Sequence, residues 1–128
     1  MQHFTNLKVW QRSHALVLDV YRLTAGLPAE ERFGLTSQLR RAAVSVPTNI
    51  SEGSKRKSQR DYAHFLNLAE ASLAETEYLL LLCRDLGYQK ADEADARQRE
   101  ISETSRMLYA LRDKIQHGSH SPAGPPSS

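Results

Sequence analysis

Between Ser58 and Gly87 the apolar and small residues keep one rhythm for about seven helical turns. Tyr62, Phe65, Ala69, Ser72 and Leu73, Thr76, Leu79 and Leu80, Cys83 and Leu86 recur at steps of three and four, with no internal Gly or Pro. That spacing builds one side of a helix and is incompatible with a strand, whose faces alternate with a period of two. Ser58 followed three residues later by Asp61 predicts the start of this helix as a capping box, and Gly87 predicts its end. Its apolar side has to be buried against other elements, so the rest of the chain must cover it.

The flanking segments supply that cover. From Asn6 to Leu27 the chain again reads as a helix, with no breaker before Gly26. Leu7, Trp10, His14, Val17, Tyr21 and Thr24 step 3, 4, 3, 4, 3, which predicts a bundle-facing seam. Gly26-Leu27-Pro28 stops this helix, because proline restricts the residue before it. Pro28-Ala-Glu-Glu predicts one short turn, and Phe33 is expected to tuck into the core as an anchor. A second helix is expected over about residues 35–52, with its seam on Leu35, Leu39, Ala42, Val46 and Ile50. Pro47 removes a donor and crowds the carbonyl of Ala43, which predicts a kink. Asn49 at the seam's edge needs amide partners if buried, and Gly53 is placed as the residue that ends the helix. A fourth helix over about 92–116 is carried by Ala94, Ile101, Leu108, Leu111 and Ile115, behind a nearly all-polar first half. Short connectors between four helices predict an all-α chain, an antiparallel up-down-up-down four-helix bundle over residues 1–116. The Pro/Gly/Ser-rich segment 117–128 cannot build a core and is expected to be a disordered tail.

The first helix carries more apolar surface than one contact side requires. A second set, Val9, Leu16, Val20 and Leu23, lies on another side, so the apolar arc spans roughly 220°, about twice the minimum stripe of a helix packed on one side. The extra cover is either the fourth helix or another copy of the chain. The second alternative makes the protein a homo-oligomer with Val9, Leu16, Val20 and Leu23 at the subunit interface.

No apolar run approaches the ~20 residues that span a bilayer, and the first residues lack a signal peptide's apolar segment. One cysteine, Cys83, cannot form an internal disulfide. These features predict a cytoplasmic protein with no membrane contact. The net charge is +2, but residues 1–60 hold ten Lys/Arg against four Asp/Glu, and residues 61–128 hold seven against eleven. This predicts a basic surface attractive to phosphate or to an acidic protein, unless the helices compensate each other within the bundle. No Ser/His/Asp grouping, paired acids, phosphate loop or CxxC pair is present, so no catalytic residue, metal or cofactor is expected.

Val9-Trp10-Gln11, Glu31-Arg32-Phe33-Gly34-Leu35, Gln38-Leu39-Arg40-Arg41-Ala42-Ala43 and Asn49-Ile50-Ser51-Glu52-Gly53 follow in order. With Phe65, Ala69, Ser72-Leu73, Glu75 and Leu86-Gly87-Tyr88, the chain over residues 4–116 resembles the four-helix-bundle proteins encoded within 23S ribosomal RNA intervening sequences. Ser51 stands where that family usually has Ala. The family includes the accessory variability determinant of diversity-generating retroelements, which binds nucleic acid and a reverse transcriptase. The resemblance implies a four-helix bundle in a ring-shaped homopentamer without enzymatic activity.

Lys55-Arg56-Lys57 and Arg60 put four cations in six residues at a helix N-terminus, where backbone donors already favour an anion. Repeated around a ring, they would hold RNA or DNA phosphates with strong salt dependence; the alternative is a solvated loop. No aromatic interleaves them, so base stacking is not implied. Arg40 and Arg41 lie 100° apart and contact phosphate or a neighbouring subunit, or pair internally with Glu52 or Glu75. His14 in the seam reads as a packing residue, His64 as an outer-face residue, and Cys83 as core. The function expected is a nucleic-acid-binding homo-oligomer; the alternative is a scaffold for an acidic protein such as a reverse transcriptase.

Overall fold

A computed structural model describes residues 3–117, so most of the expected tail 117–128 lies outside the described residues. Four helices make up almost all of the described chain: α1 (Lys8–Ala25), α2 (Leu35–Ser54), α3 (Gln59–Asp85) and α4 (Ala91–Gln116). Two single 3-10 turns, Phe4–Asn6 and Ala29–Glu31, precede α1 and α2, and no strand occurs among the described residues. The architecture is all-helical and consistent with a four-helix bundle. Each helix packs on its neighbour in the chain, and α1 closes more lightly on α4.

The helix boundaries follow local chemistry. Ser58 caps α3, its Oγ accepting from the Asp61 backbone N–H at 3.0 Å. At the other end, Tyr88 N–H reaches Cys83 O at 2.8 Å and Gly87 N–H reaches Arg84 O at 3.0 Å. These two bonds form a Schellman stop with Gly87 at φ 82, the one positive φ among the described residues. Gly53 does something else than expected. It lies inside α2, which continues to Ser54. A Cβ there would stand 2.8 Å from Phe65 Cβ and 3.2 Å from Tyr62 O, so glycine is required for the close approach of α3. Gly53→Ala is expected to lose about 1–2 kcal/mol, the overpacking strain exceeding the gain in helix propensity. A lowered urea midpoint would show it.

The core joins Val9, Leu16, Val17 and Val20 of α1 to Leu39, Val46 and Ile50 of α2, Leu66, Leu73 and Leu80 of α3, and Ile101 and Leu108 of α4. Two expectations fail here. Val9, Leu16 and Val20, assigned above to subunit contacts, are buried within the chain's own core, and Leu23 packs partly against it. They cannot serve as an outward interface in this arrangement. The outward side of α1 instead carries His14, Leu18 and Tyr21, with Trp10 at its edge. The physical reason is that hydroxyls share the core side. Ser13 and Thr24 are buried there because each donates to its own helix, Ser13 Oγ to Trp10 O at 2.9 Å and Thr24 Oγ1 to Val20 O at 2.7 Å. Thr76 and Thr104 use the same device. Phe33 is the second failure: it is 87% exposed rather than anchored.

α2 runs unbroken through Pro47. Asn49, as required, finds partners, its Nδ2 donating to Ser45 O at 2.9 Å and Ser45 Oγ at 3.0 Å. Ser72 Oγ donates to the same Ser45 Oγ at 2.8 Å, tying α3 to α2. Between α4 and α1, Arg97 Nε donates to Asp19 Oδ2 at 2.7 Å while its Nη1 reaches Gln89 Oε1 at 2.6 Å. Arg97 is therefore a positioned strut, and it holds the lightest seam of the molecule together.

Candidate nucleic-acid interface

The six basic residues singled out in the sequence do not form one site. Arg40 and Arg41 sit mid-helix on α2, roughly 20 Å along its axis from Lys55. Both are engaged. Arg40 Nε donates to Thr24 Oγ1 at 2.7 Å and its guanidinium lies 4.3 Å from the Tyr21 ring centre. Arg41 pairs with Glu75 across 3.4 Å, one of the two internal carboxylates expected. The other, Glu52, takes Arg56 at 2.9 Å, just beyond the end of α2. Arg56 also lies over the Phe65 ring.

That leaves Lys55, Lys57 and Arg60, which are exposed and pair with no carboxylate among the described residues. The fold adds two more. The turn between α2 and α3 stands beside the start of α1 and the end of α4. Leu7, Tyr62, Leu111 and Ile115 floor a cleft of about 340 Å³ there, rimmed by Arg56, Lys57 and Lys114. Lys8 and Lys114 are also exposed and without an acidic partner among the described residues. Among the described residues Asp61 and Asp113 stand against these five cations, Asp113 Oδ1 lying 3.1 Å from His117 Nδ1. At the opposite end, around residues 26–35 and 81–97, six Asp/Glu face four Lys/Arg. There Tyr88 Oη donates to Glu31 Oε2 at 2.9 Å, and this bond holds the phenol above its ordinary pKa. The imbalance seen between sequence halves is thus an imbalance between the ends of the helices.

Lys55 brings an aromatic with it, against expectation. Its Nζ lies 5.6 Å from the Phe4 ring centre, and Phe4 meets Trp10 edge-on at 5.2 Å. Trp10 in turn stacks on His14 at 5.0 Å. His14 is exposed on this row rather than packed in a seam. Spacing along the chain could not reveal this, since Phe4 and Lys55 meet only when α1 and α2 are side by side.

Elsewhere the chemistry is quiet. Cys83 is fully buried, and burial, with Glu31 nearby, pushes its thiol up to about 11. Among the described residues no group of three metal-binding side chains converges, and no helix is long and apolar enough to cross a membrane.

Residues 5–110 match the model of the 23S rRNA-intervening sequence protein family. The chain belongs to that family. The fold is also similar to a crystal structure from Bacteroides thetaiotaomicron, described as a protein with unknown function from the S23 ribosomal protein family. The two share 24% identity at a TM-score of 0.76, over 82% of this chain and 95% of that one. No curated protein matches the chain.

Proposed function

We propose that this family member is a non-enzymatic, cytoplasmic homo-oligomer that binds RNA or DNA through phosphates at the basic end. The carrying observation is the set of five cations, Lys8, Lys55, Lys57, Arg60 and Lys114, gathered at that end without acidic partners among the described residues. The pairs Arg12–Glu100 and Arg97–Asp19, Ser45–Ser72 and Arg41–Glu75, and Gln98–Glu77 and Arg112–Glu70 run oppositely along neighbouring helices, which supports an antiparallel up-down-up-down bundle. Copies related by rotation place every basic end on one rim, so a pentameric ring, as the resemblance implies, multiplies the phosphate contacts. The test is a titration of fluorescein-labelled RNA at 50 and 200 mM salt: binding that weakens steeply with salt supports the reading, and none at 50 mM removes it.

Assembly is assigned to the outward side of α3. Leu68, Ala71, Ala74, Tyr78 and Leu81 face away from the core there, with Tyr78 58% exposed. An apolar stripe of this kind on a helix already packed on its other side marks a contact surface. Tyr78→Asp combined with Leu81→Asp is expected to convert the oligomer to a folded monomer in sedimentation velocity. A wild-type chain that sediments as a monomer would contradict the assembly.

A second reading is favoured by the cleft on the α1/α2 side, where exposed Phe33 stands among Arg32, Arg40 and Arg41. That surface suits an acidic protein, the scaffold role. Recovery of one protein partner that survives nuclease treatment and is lost with Phe33→Ser favours it.

A further inference from the structure

The cleft between the first turns of α3 and the last turns of α4 has a lining of which the preceding assignments use only Arg60. It encloses about 860 Å³ of open space, ample for a nucleotide. Its polar lining comes from Gln59, Arg60, His64 and Asn67 of α3, from Arg112 and Gln116 of α4, and from His117 just beyond, and includes no carboxylate. Two of the acids nearby have partners, and Asp61, beside Arg60, lies outside the lining. Glu70 holds the Arg112 guanidinium and raises its pKa, and Asp113 meets His117 Nδ1. Arg112 Nη1 donates to Gln116 Oε1 at 2.9 Å, which turns the Gln116 amide NH2 away from Arg112. Arg60 and Asn67 have no hydrogen-bond or ionic partner among the described residues, and His64 contacts only the edge of Phe65 through its ring. The floor is apolar, made by Ala63 and Ile115.

Uncommitted donors above an apolar floor, in a lining without a carboxylate, are the chemistry that receives a phosphate together with a flat ring. We propose that this cleft seats one nucleotide of a bound single strand. Arg60 and His64 take its phosphate, Ala63 and Ile115 lie under its base, and the Asn67 amide hydrogen-bonds the base edge. The cleft adjoins the cluster of Lys57 and Lys114, since Gln59 and Ile115 line both clefts. A strand held by the lysines thus continues into it. This assignment rests on the nucleic-acid reading above and adds to it a preference for unpaired bases.

The test uses the full chain and a fluorescein-labelled 15-nucleotide single-stranded RNA in anisotropy titrations, with thermal melts to confirm folding. Asn67→Leu is expected to weaken binding about five- to tenfold with an unchanged salt slope, because an uncharged donor is lost. Arg60→Gln is expected to lower the salt slope by about 0.7. An RNA duplex of the same length is expected to bind less tightly and to be indifferent to Asn67→Leu. If RNA binds but Asn67→Leu matches the wild type, the cleft is overturned while the basic-end reading stands. If the wild type binds no RNA, that reading fails, and AMP added at millimolar concentration decides the cleft. A shift of the Asn67 side-chain amide resonance then assigns it to a free nucleotide, and no shift overturns it.

Discussion

Leu66→Ala is expected to destabilise the protein by about 3 kcal/mol, within the 2–5 kcal/mol range of fully buried leucines. Leu66 is completely buried at the centre of the core, where α3 faces its neighbours. The packed helices on either side have little freedom to collapse into the space left behind. For a domain of this size the midpoint of thermal unfolding falls by about 10 °C. Leu68→Ala, two residues away on the outward side, is expected to change the stability of a single chain by less than about 1 kcal/mol. The two variants together separate the core side of α3 from the side assigned to assembly. Equal losses would contradict the orientation of α3.

Replacing Lys55, Lys57 and Lys114 together by alanine is expected to weaken single-stranded RNA binding about a hundredfold at 50 mM salt. All three are exposed and carry no ion pair among the described residues, so stability is expected to hold. Each phosphate contact removed from a single strand lowers the salt slope by about 0.7, and three lower it by about 2. The matched control is Arg41→Ala together with Arg40→Ala. Those arginines are held by Glu75, Thr24 and Tyr21 at mid-helix, and their loss is expected to leave the slope unchanged. A control that lowers the slope as much as the triple variant would place the binding surface on α2 instead.

Much of the architecture is readable from local rules. Ser58 with Asp61, and Gly87 with its neighbours, mark the two ends of α3 because capping depends on a few adjacent residues. Ile101 and Leu108 place the core side of α4 although its first half is nearly all polar. What the pattern leaves open is the direction in which an over-apolar helix faces. Both sides of α1 carry large apolar residues, and buried hydroxyls at Ser13 and Thr24 break the hydrophobic rule that would have identified its core side. On α3 the outward Leu68, Tyr78 and Leu81 merge with the inward set, which concealed Leu66 as a principal core residue. Phe33 follows a turn whose path a periodicity argument cannot trace, and it ends in solvent.

The candidate site was legible only in part, for a related reason. A basic run in the turn between α2 and α3 is visible in the chain itself. That Arg56 would be neutralised by Glu52, and that Lys8 and Lys114 would join the others from the two ends of the chain, depends on tertiary placement. The donor-lined cleft of Arg60, His64 and Asn67 likewise exists only where α4 lies against α3.

Five cations without acidic partners among the described residues gather at one end of the helices, and they are the proposed surface for nucleic-acid phosphates. The most direct measurement of that binding is the affinity of the intact protein for a single-stranded RNA across a series of salt concentrations. The account requires a linear fall of log affinity with log salt, with a slope steeper than about −3. Absence of binding at 50 mM salt, or an affinity indifferent to salt, would contradict it.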